Sequence, residues 1–177
     1  MAMEDPHLGK VVISAEELHA RIGELGAEIS ADYADRPPLL VCILKGAFPF
    51  LADLVRAIDL PVEIDFMAVS SYGSATKTSG IVRIVKDLDA ELKGRDVIIV
   101  EDVVDSGLTL RYLRRNLGVR EPTSLEVCTL LLKEGLQRED PDIRYIGFRI
   151  EPDFVIGYGL DVAEKYRNLP DIRLYEG

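Results

Sequence analysis

Three carboxylates, two hydroxyls and a glycine fall within nine residues in Glu101-Asp102-Val-Val-Asp105-Ser106-Gly107-Leu108-Thr109. A β-branched run, Asp96-Val-Ile-Ile-Val100, precedes them, and a helical pattern begins at about Gly107. A buried strand that delivers the chain to a helix N-terminus aims free backbone N–H groups and the positive end of the helix dipole at one point, which suits an anion such as phosphate. Ser106 and Thr109 add hydroxyl donors. The carboxylates would repel that anion, so they require a sugar diol to hydrogen-bond or a hard cation such as Mg²⁺ between protein and ligand. The plainer alternative is an N-capped turn with solvated acids.

Other polar residues follow apolar runs in the same way. Lys45-Gly46 comes directly after Leu39 to Leu44, and Lys133 ends Cys128-Thr-Leu-Leu-Leu132. An amine at a strand exit can donate to a carbonyl or meet an anion; taken singly, each lysine is equally well a solvated strand end. Phe154 and Val155 open a further strand end, where an aromatic ring can stack on a flat heterocycle. Between two strand patterns lies Ser70 to Gly80, in which eight of eleven residues are Ser, Thr or Gly. Nothing there can anchor a core, which fits either a lid or a plain hairpin loop. Gly157-x-Gly159 hints at a dinucleotide loop, but Val162 stands at the third glycine position and the motif fails. The sequence holds no Gly-x-Ser-x-Gly and no Walker lysine motif, and His7 and His19 have no acid or cysteine at ligand spacing.

The elements that must position these groups read as alternating strands and helices. Ser14-Ala-Glu-Glu17 is a capping box that starts a helix, with Leu18, Ile22, Leu25 and Ile29 on one face until Asp35-Arg-Pro-Pro38 stops it. Leu39 to Leu44 is of strand length. Phe48, Leu51, Val55 and Ile58 then share a helical face, and Val62 to Val69 reads as a strand. After Asp96 to Val100, Leu110, Leu113 and Leu117 mark a third helix, with Gly118 placed for a left-handed C-terminal cap. Leu125 to Leu132, Arg144 to Phe148 and Phe154 to Ile156 complete the strands. This order predicts an α/β fold with a central, mostly parallel sheet of about five strands flanked by helices and joined by right-handed crossovers. Ligands sit at the carboxyl ends of such strands, where the polar residues above are found.

The chain has 177 residues, 47% of them apolar, and 31 acidic against 21 basic side chains leave a net charge of -10. That length suits one domain whose core needs no disulfide or structural metal. Cys42 and Cys128 lie in apolar runs and read as buried thiols of a reducing compartment. The acidic first residues lack the basic flank of a signal peptide, and no apolar run approaches the ~20 residues of a membrane span. A cytoplasmic protein is expected, with no membrane contact. The charge balance argues against a general nucleic-acid binder.

Val100-Glu101-Asp102-Val-Val-Asp105-Ser106-Gly107-Leu-Thr109 resembles the phosphoribosyl pyrophosphate signature of the type I phosphoribosyltransferases. Leu44-Lys45-Gly46, Ser71-Tyr72-Gly73, Lys133, Asp153-Phe154-Val-Ile-Gly157-Tyr-Gly159-Leu-Asp161 and Arg167-Asn-Leu169 narrow the resemblance to the hypoxanthine (guanine) branch, over nearly the whole chain and in the right order. The resemblance implies one domain, with a core of about 15–157 and a small hood from about 1–14 and 158–177. It implies transfer of a 5-phosphoribosyl group from phosphoribosyl pyrophosphate to N9 of hypoxanthine or guanine, giving IMP or GMP and pyrophosphate. In that scheme Ser106, Gly107, Leu108 and Thr109 hold the 5′-phosphate, Glu101 and Asp102 address the ribose diol with Mg²⁺, and Lys45, Gly46 and Arg167 meet pyrophosphate. The Leu44–Lys45 bond can be cis. Lys133 reads the purine O6, Phe154 stacks on the base, the Val155 backbone lies at its edge, and Asp161 serves a second Mg²⁺ through water. Asp105 acts as general acid/base at N7, and Ser71 and Tyr72 close over the site. Glu134-Gly135 departs from the family, which carries a proline or basic residue after this lysine. A homodimer or homotetramer is implied. Two rivals stand beside this reading: a related enzyme for xanthine, and an RNA-binding regulator that retains the fold.

Overall fold

Helix α1, Ala15–Asp32, starts where the capping box puts it: Glu17 N–H donates to Ser14 Oγ at 3.2 Å, and Ser14 N–H donates to Glu17 Oε2 at 2.8 Å. The structure is a computed structural model that describes residues 5–72 and 81–177, with only the backbone for Ser71, Tyr72 and Ile81. Leu18, Ile22, Leu25 and Ile29 are buried along one face of α1, as their spacing requires. Helix α2 spans Phe48–Ala57 and α3 spans Leu108–Gly118.

Six strands form the main sheet. They are β2 (Leu39–Leu44), β3 (Glu63–Tyr72), β4 (Ile81–Lys86), β5 (Asp96–Val104), β6 (Ser124–Lys133) and β7 (Tyr145–Ile150), in the spatial order β4-β3-β2-β5-β6-β7. Five are mutually parallel and β4 is antiparallel at the edge. The central strands are buried on both faces. Leu40, Cys42, Ile98, Val100 and Leu130 pack with α1 and α2 on one side, while Leu39, Val41, Ile99 and Val127 pack with α3 on the other. Both cysteines are buried and free, and burial pushes the Cys42 thiol up to about 12.

From β2 the chain crosses outward to β3, and from β5 it crosses the opposite way to β6 and β7. The order therefore reverses between β2 and β5, and at such a switch point a crevice opens at the carboxyl ends of the strands. Lys45 leaves β2 and Asp105 leaves β5 at that place.

Four expectations are corrected by the structure. β5 continues through Val104, because Glu101, Val103 and Val104 pair with Thr129, Leu131 and Leu132 of β6, so Glu101 and Asp102 lie within the strand rather than beyond it. Gly118 ends α3 without a left-handed turn; the positive φ, 60°, falls at Glu121. Phe48 is half exposed, and Phe50 and Leu54 hold the buried face of α2. The run at 154–156 does not join the main sheet: β8 (Val155–Ile156), β1 (Leu8–Ile13) and β9 (Ile172–Tyr175) form a separate antiparallel sheet in the order β1-β9-β8. The hood thus begins at about 155, because β8 finds its backbone partners in β9.

Two glycines of α1 distinguish helix propensity from packing. A Cβ at Gly26 would overlap the Ala57 carbonyl at the end of α2, whereas one at Gly23 would meet nothing within 4 Å. Gly23→Ala should stabilise the protein by up to about 1 kcal/mol. Gly26→Ala should destabilise it by about 1–3 kcal/mol through overpacking, both read from denaturant unfolding midpoints.

Candidate active site

Parallel pairing of β5 with β6 in register brings their ends out side by side, with Val104 opposite Leu132. Asp105 and Lys133 therefore leave the sheet as neighbours, and Lys133 Nζ lies 3.2 Å from Asp105 Oδ1. Lys133 is largely buried and Asp105 more than half exposed, so the pair sits at the mouth of the crevice. The Phe154 ring, immediately before β8, lies with its centroid 6.0 Å from Lys133 Nζ and 5.7 Å from the Tyr175 ring. Phe154 is 54% exposed, which rules out a simple core role and leaves an aromatic face on the crevice.

Below this pair the chain turns into α3. Gly107, the N-cap, occupies the left-handed region at φ 82° and cannot cap the helix with a side chain; Ser106 Oγ accepts from Leu108 N–H only at 3.5 Å. The first N–H groups of a helix have no intrahelical partner, so they remain available to an anion. Glu101, Asp105, Ser106, Gly107 and Thr109 line a cavity of about 90 Å³ there.

The acids behave differently. Glu101 is buried, and desolvation together with the charge of Asp102 pushes its carboxyl well above the usual carboxylate range. Asp102 keeps a partly exposed edge, but burial still pushes its carboxyl up to about 6, against hydrogen bonding from Val103 N–H at 2.7 Å and the charge of Arg167. Opposite Asp102 runs the β2 turn, where the Leu44–Lys45 peptide is cis. A Cβ at Gly46 would overlap Asp102 Oδ2, and one at Gly159 of the hood would overlap the Gly46 carbonyl. Three segments distant in sequence meet here at backbone distance, which only glycine permits.

The hood adds a charge network. Arg167 donates to the Gly159 carbonyl at 2.7 Å and reaches Asp161 Oδ1 at 3.1 Å and Glu164 Oε1 at 3.2 Å. Glu164 Oε2 also accepts from Lys45 Nζ at 3.0 Å, while Glu164 N–H donates to Asp161 Oδ2 at 2.9 Å. Lys45, Arg167 and Asp161 are thus gathered by Glu164, which sequence reasoning missed. Its signal is faint, an acid among polar residues, and its backbone φ of 65° is unusual for a non-glycine. Gln137 was missed for the same reason: nothing in its neighbourhood marks its amide, which reaches the carbonyls of both Lys133 and Asp105. Val155 is buried in β8 next to Phe154. The side chains of Ser71 and Tyr72, and the loop 73–80, lie outside the described residues.

Among the described residues no three acids, histidines or cysteines cluster as a protein-only metal cage. The donor set nevertheless fits Mg²⁺, which keeps much of its water and is commonly held by one or two carboxylates together with substrate oxygens. Raised carboxyls at Glu101 and Asp102 are those that a bound cation would relieve.

The site thus combines a parallel sheet with its switch point beside a helix N-terminus, two acids at the strand end and a cation facing an aromatic ring. The phosphoribosyl transferase domain family matches residues 14–163, and the chain belongs to that family. It is 55% identical to the hypoxanthine-guanine phosphoribosyltransferase of Mycobacterium avium, over 94% of this chain and 87% of that protein. Among solved structures it is similar to a hypoxanthine phosphoribosyltransferase from Staphylococcus aureus, with a TM-score of 0.91, 41% identity and coverage of 96% and 92% of the two chains. A Trypanosoma cruzi hypoxanthine phosphoribosyl transferase, studied for the role of its C-terminal region in oligomeric state and activity, also superposes at a TM-score of 0.91, with 38% identity over 98% and 94%.

The raised carboxyl of Asp102 has a consequence for stability. Below its ordinary value, near 3.8, Asp102 is neutral in folded and unfolded chains alike; as pH rises through about 6 the folded state must carry a buried charge that the unfolded state solvates easily. Stability is therefore lost between these values. In magnesium-free buffer, Asp102→Asn should raise the thermal midpoint by about 2–4 °C at pH 7.5. The gain should vanish near pH 3.5, and differential scanning calorimetry at the two pH values checks both.

Proposed function

We propose that the chain is a purine-salvage transferase that moves the 5-phosphoribosyl group of phosphoribosyl pyrophosphate to N9 of hypoxanthine or guanine, forming IMP or GMP and releasing pyrophosphate. The observation that carries this reading is the Lys133–Asp105 pair, 3.2 Å apart, between an aromatic face and an anion loop. A 6-oxopurine presents a carbonyl acceptor at O6 and, beside it, N7. An ammonium and a carboxylate held side by side match that edge, whereas adenine offers an amino group where Lys133 needs an acceptor.

In the reaction the N9–C1′ bond forms as the bond from C1′ to the pyrophosphate oxygen breaks. Ser106, Gly107, Leu108 and Thr109 hold the 5′-phosphate through backbone N–H groups and hydroxyls, fixing the ribose against the base. Glu101 and Asp102 address the ribose diol. Asp105 receives the proton the base gives up, acting at N7 as general base, and returns it as acid in the reverse direction. Phe154 stacks on the purine and the Val155 backbone lies at its edge. Lys45, Gly46 and Arg167 receive the pyrophosphate, which must displace Glu164 from both cations. Glu101 and Asp102 would hold Mg²⁺ and Asp161 a second Mg²⁺ through water, supplying charge stabilisation to the leaving group. Ser71 and Tyr72 are assigned to a lid that excludes water.

Assembly as a homodimer or homotetramer in the cytoplasm completes the proposal, and family membership supports it. No helix among the described residues is long and apolar enough to cross a membrane.

Pyrophosphate release, measured with phosphoribosyl pyrophosphate and Mg²⁺, should be rapid with hypoxanthine and guanine and absent with adenine and uracil. Asp105→Asn should lower turnover by about two orders of magnitude or more while KM values change little. Unchanged turnover in that variant would remove Asp105 from its role, and silence with every base would overturn the enzyme reading.

A further inference from the structure

The turn after Lys133 contains a contact that the reaction leaves unused. Glu134 N–H donates to the Ile150 carbonyl at 2.9 Å, Gly135 turns the backbone at φ 78°, and the partly buried Gln137 side chain folds back over the turn. Its Nε2 amide donates to the Lys133 carbonyl at 2.7 Å and to the Asp105 carbonyl. One primary amide, with two N–H donors, therefore ties together the two peptide units that carry the base-reading pair. Further along the same loop, Glu139 lies 3.6 Å from Arg111, and the Asp142 carbonyl accepts from Arg114. The loop is fastened to α3, the helix that the anion loop opens.

We propose that Gln137 is a positioning residue that sets the spacing of Lys133 and Asp105 and so determines how well the site accepts a 6-oxopurine. This rests on the assignment of those two residues to O6 and N7. The two atoms share one rigid edge of the base, so both contacts form together only if the exits of β5 and β6 keep a fixed separation. The pairing of β6 with β5 ends at Leu132, one residue short of Lys133, so the strands alone do not clamp the two side chains beyond it. Gln137 supplies the missing crosslink. Displacement of a reacting group by about 1 Å can cost up to ~100-fold in rate, so a single crosslink at this place has leverage on the chemistry.

The amide is required for its donors. Glutamate has the same shape but, ionised, would set oxygens against two carbonyls; methionine fills the space without donating; lysine restores N–H donors. Gln137→Glu should lower kcat/KM for hypoxanthine by about tenfold or more, Gln137→Met by less, and Gln137→Lys should stay within about threefold of the parent, with the KM for phosphoribosyl pyrophosphate unchanged. In a Lys133→Met background the loss from Gln137→Glu should shrink to under about twofold, because the group being positioned is gone. A merely structural role would leave that loss undiminished. Full kcat/KM in Gln137→Glu, or the same loss in both backgrounds, overturns the proposal. Should Gln137→Glu fail to fold, judged by its thermal midpoint, Gln137→Met and its cycle with Lys133→Met decide by the same criteria. If Lys133→Met and Asp105→Asn themselves leave hypoxanthine turnover intact, the base-site assignment has failed, an outcome distinct from an active site that needs both residues but not Gln137.

Discussion

Two carboxyl groups at the end of the central strand are the constraint around which this molecule is arranged. Glu101 is enclosed by the sheet and Asp102 by the β2 turn, and burial holds both carboxyls above their usual range. Burial of charge in that way is costly, and a protein tolerates it where a ligand or metal provides the compensation. The surrounding geometry meets this demand. Gly46 lacks a side chain because Asp102 occupies the space, and Gly159 lacks one because the Gly46 carbonyl does. A chain with net charge -10 thus places Lys45, Lys133, Arg167 and a helix N-terminus around one crevice, where positive potential is useful.

The division of labour between sheet and hood has a physical basis. The sheet is rigid, buried on both faces and parallel, so it can hold acids and the anion loop in fixed register. The hood is a small antiparallel sheet of chain ends, joined by a segment in which Tyr158, Ala163, Glu164 and Tyr166 all have positive φ. Such backbone is tolerated where surrounding contacts over-determine it. Here those contacts include Arg167 on the Gly159 carbonyl and Glu164 on Asp161 and Lys45. Through Phe154, just before β8, the hood reaches Lys133 at the end of β6, and through Glu164 and Arg167 it reaches Lys45 at the β2 turn.

Between them, the 134–142 loop connects the Lys133–Asp105 pair to helix α3. The Glu134-Gly135 turn is held by Glu134 N–H on the Ile150 carbonyl and by Gln137 from within. The Gln137 amide donates to two backbone carbonyls there, each neutral hydrogen bond adding only about 1 kcal/mol net to stability.

The main-sheet elements were largely legible in the order of amino acids alone, while β1 and β9 of the hood were not read as strands. Period-2 and period-3.6 burial is written in side-chain type, so α1 with its capping box, the five parallel strands and the two buried thiols could be read directly. Motif order along the chain was enough to place it among the phosphoribosyltransferases. Features that depend on partners far apart in the chain emerged only on folding. Strand β5 runs past the acids because β6 pairs with it, and Val155–Ile156 belongs to the hood because β9 lies alongside, neither of which local propensity can encode. Glu164 and Gln137 were invisible for the same reason: an acid or an amide in a polar loop has no intrinsic direction, and the partners that give each its role lie about thirty residues or more away, at Lys45 and Asp105.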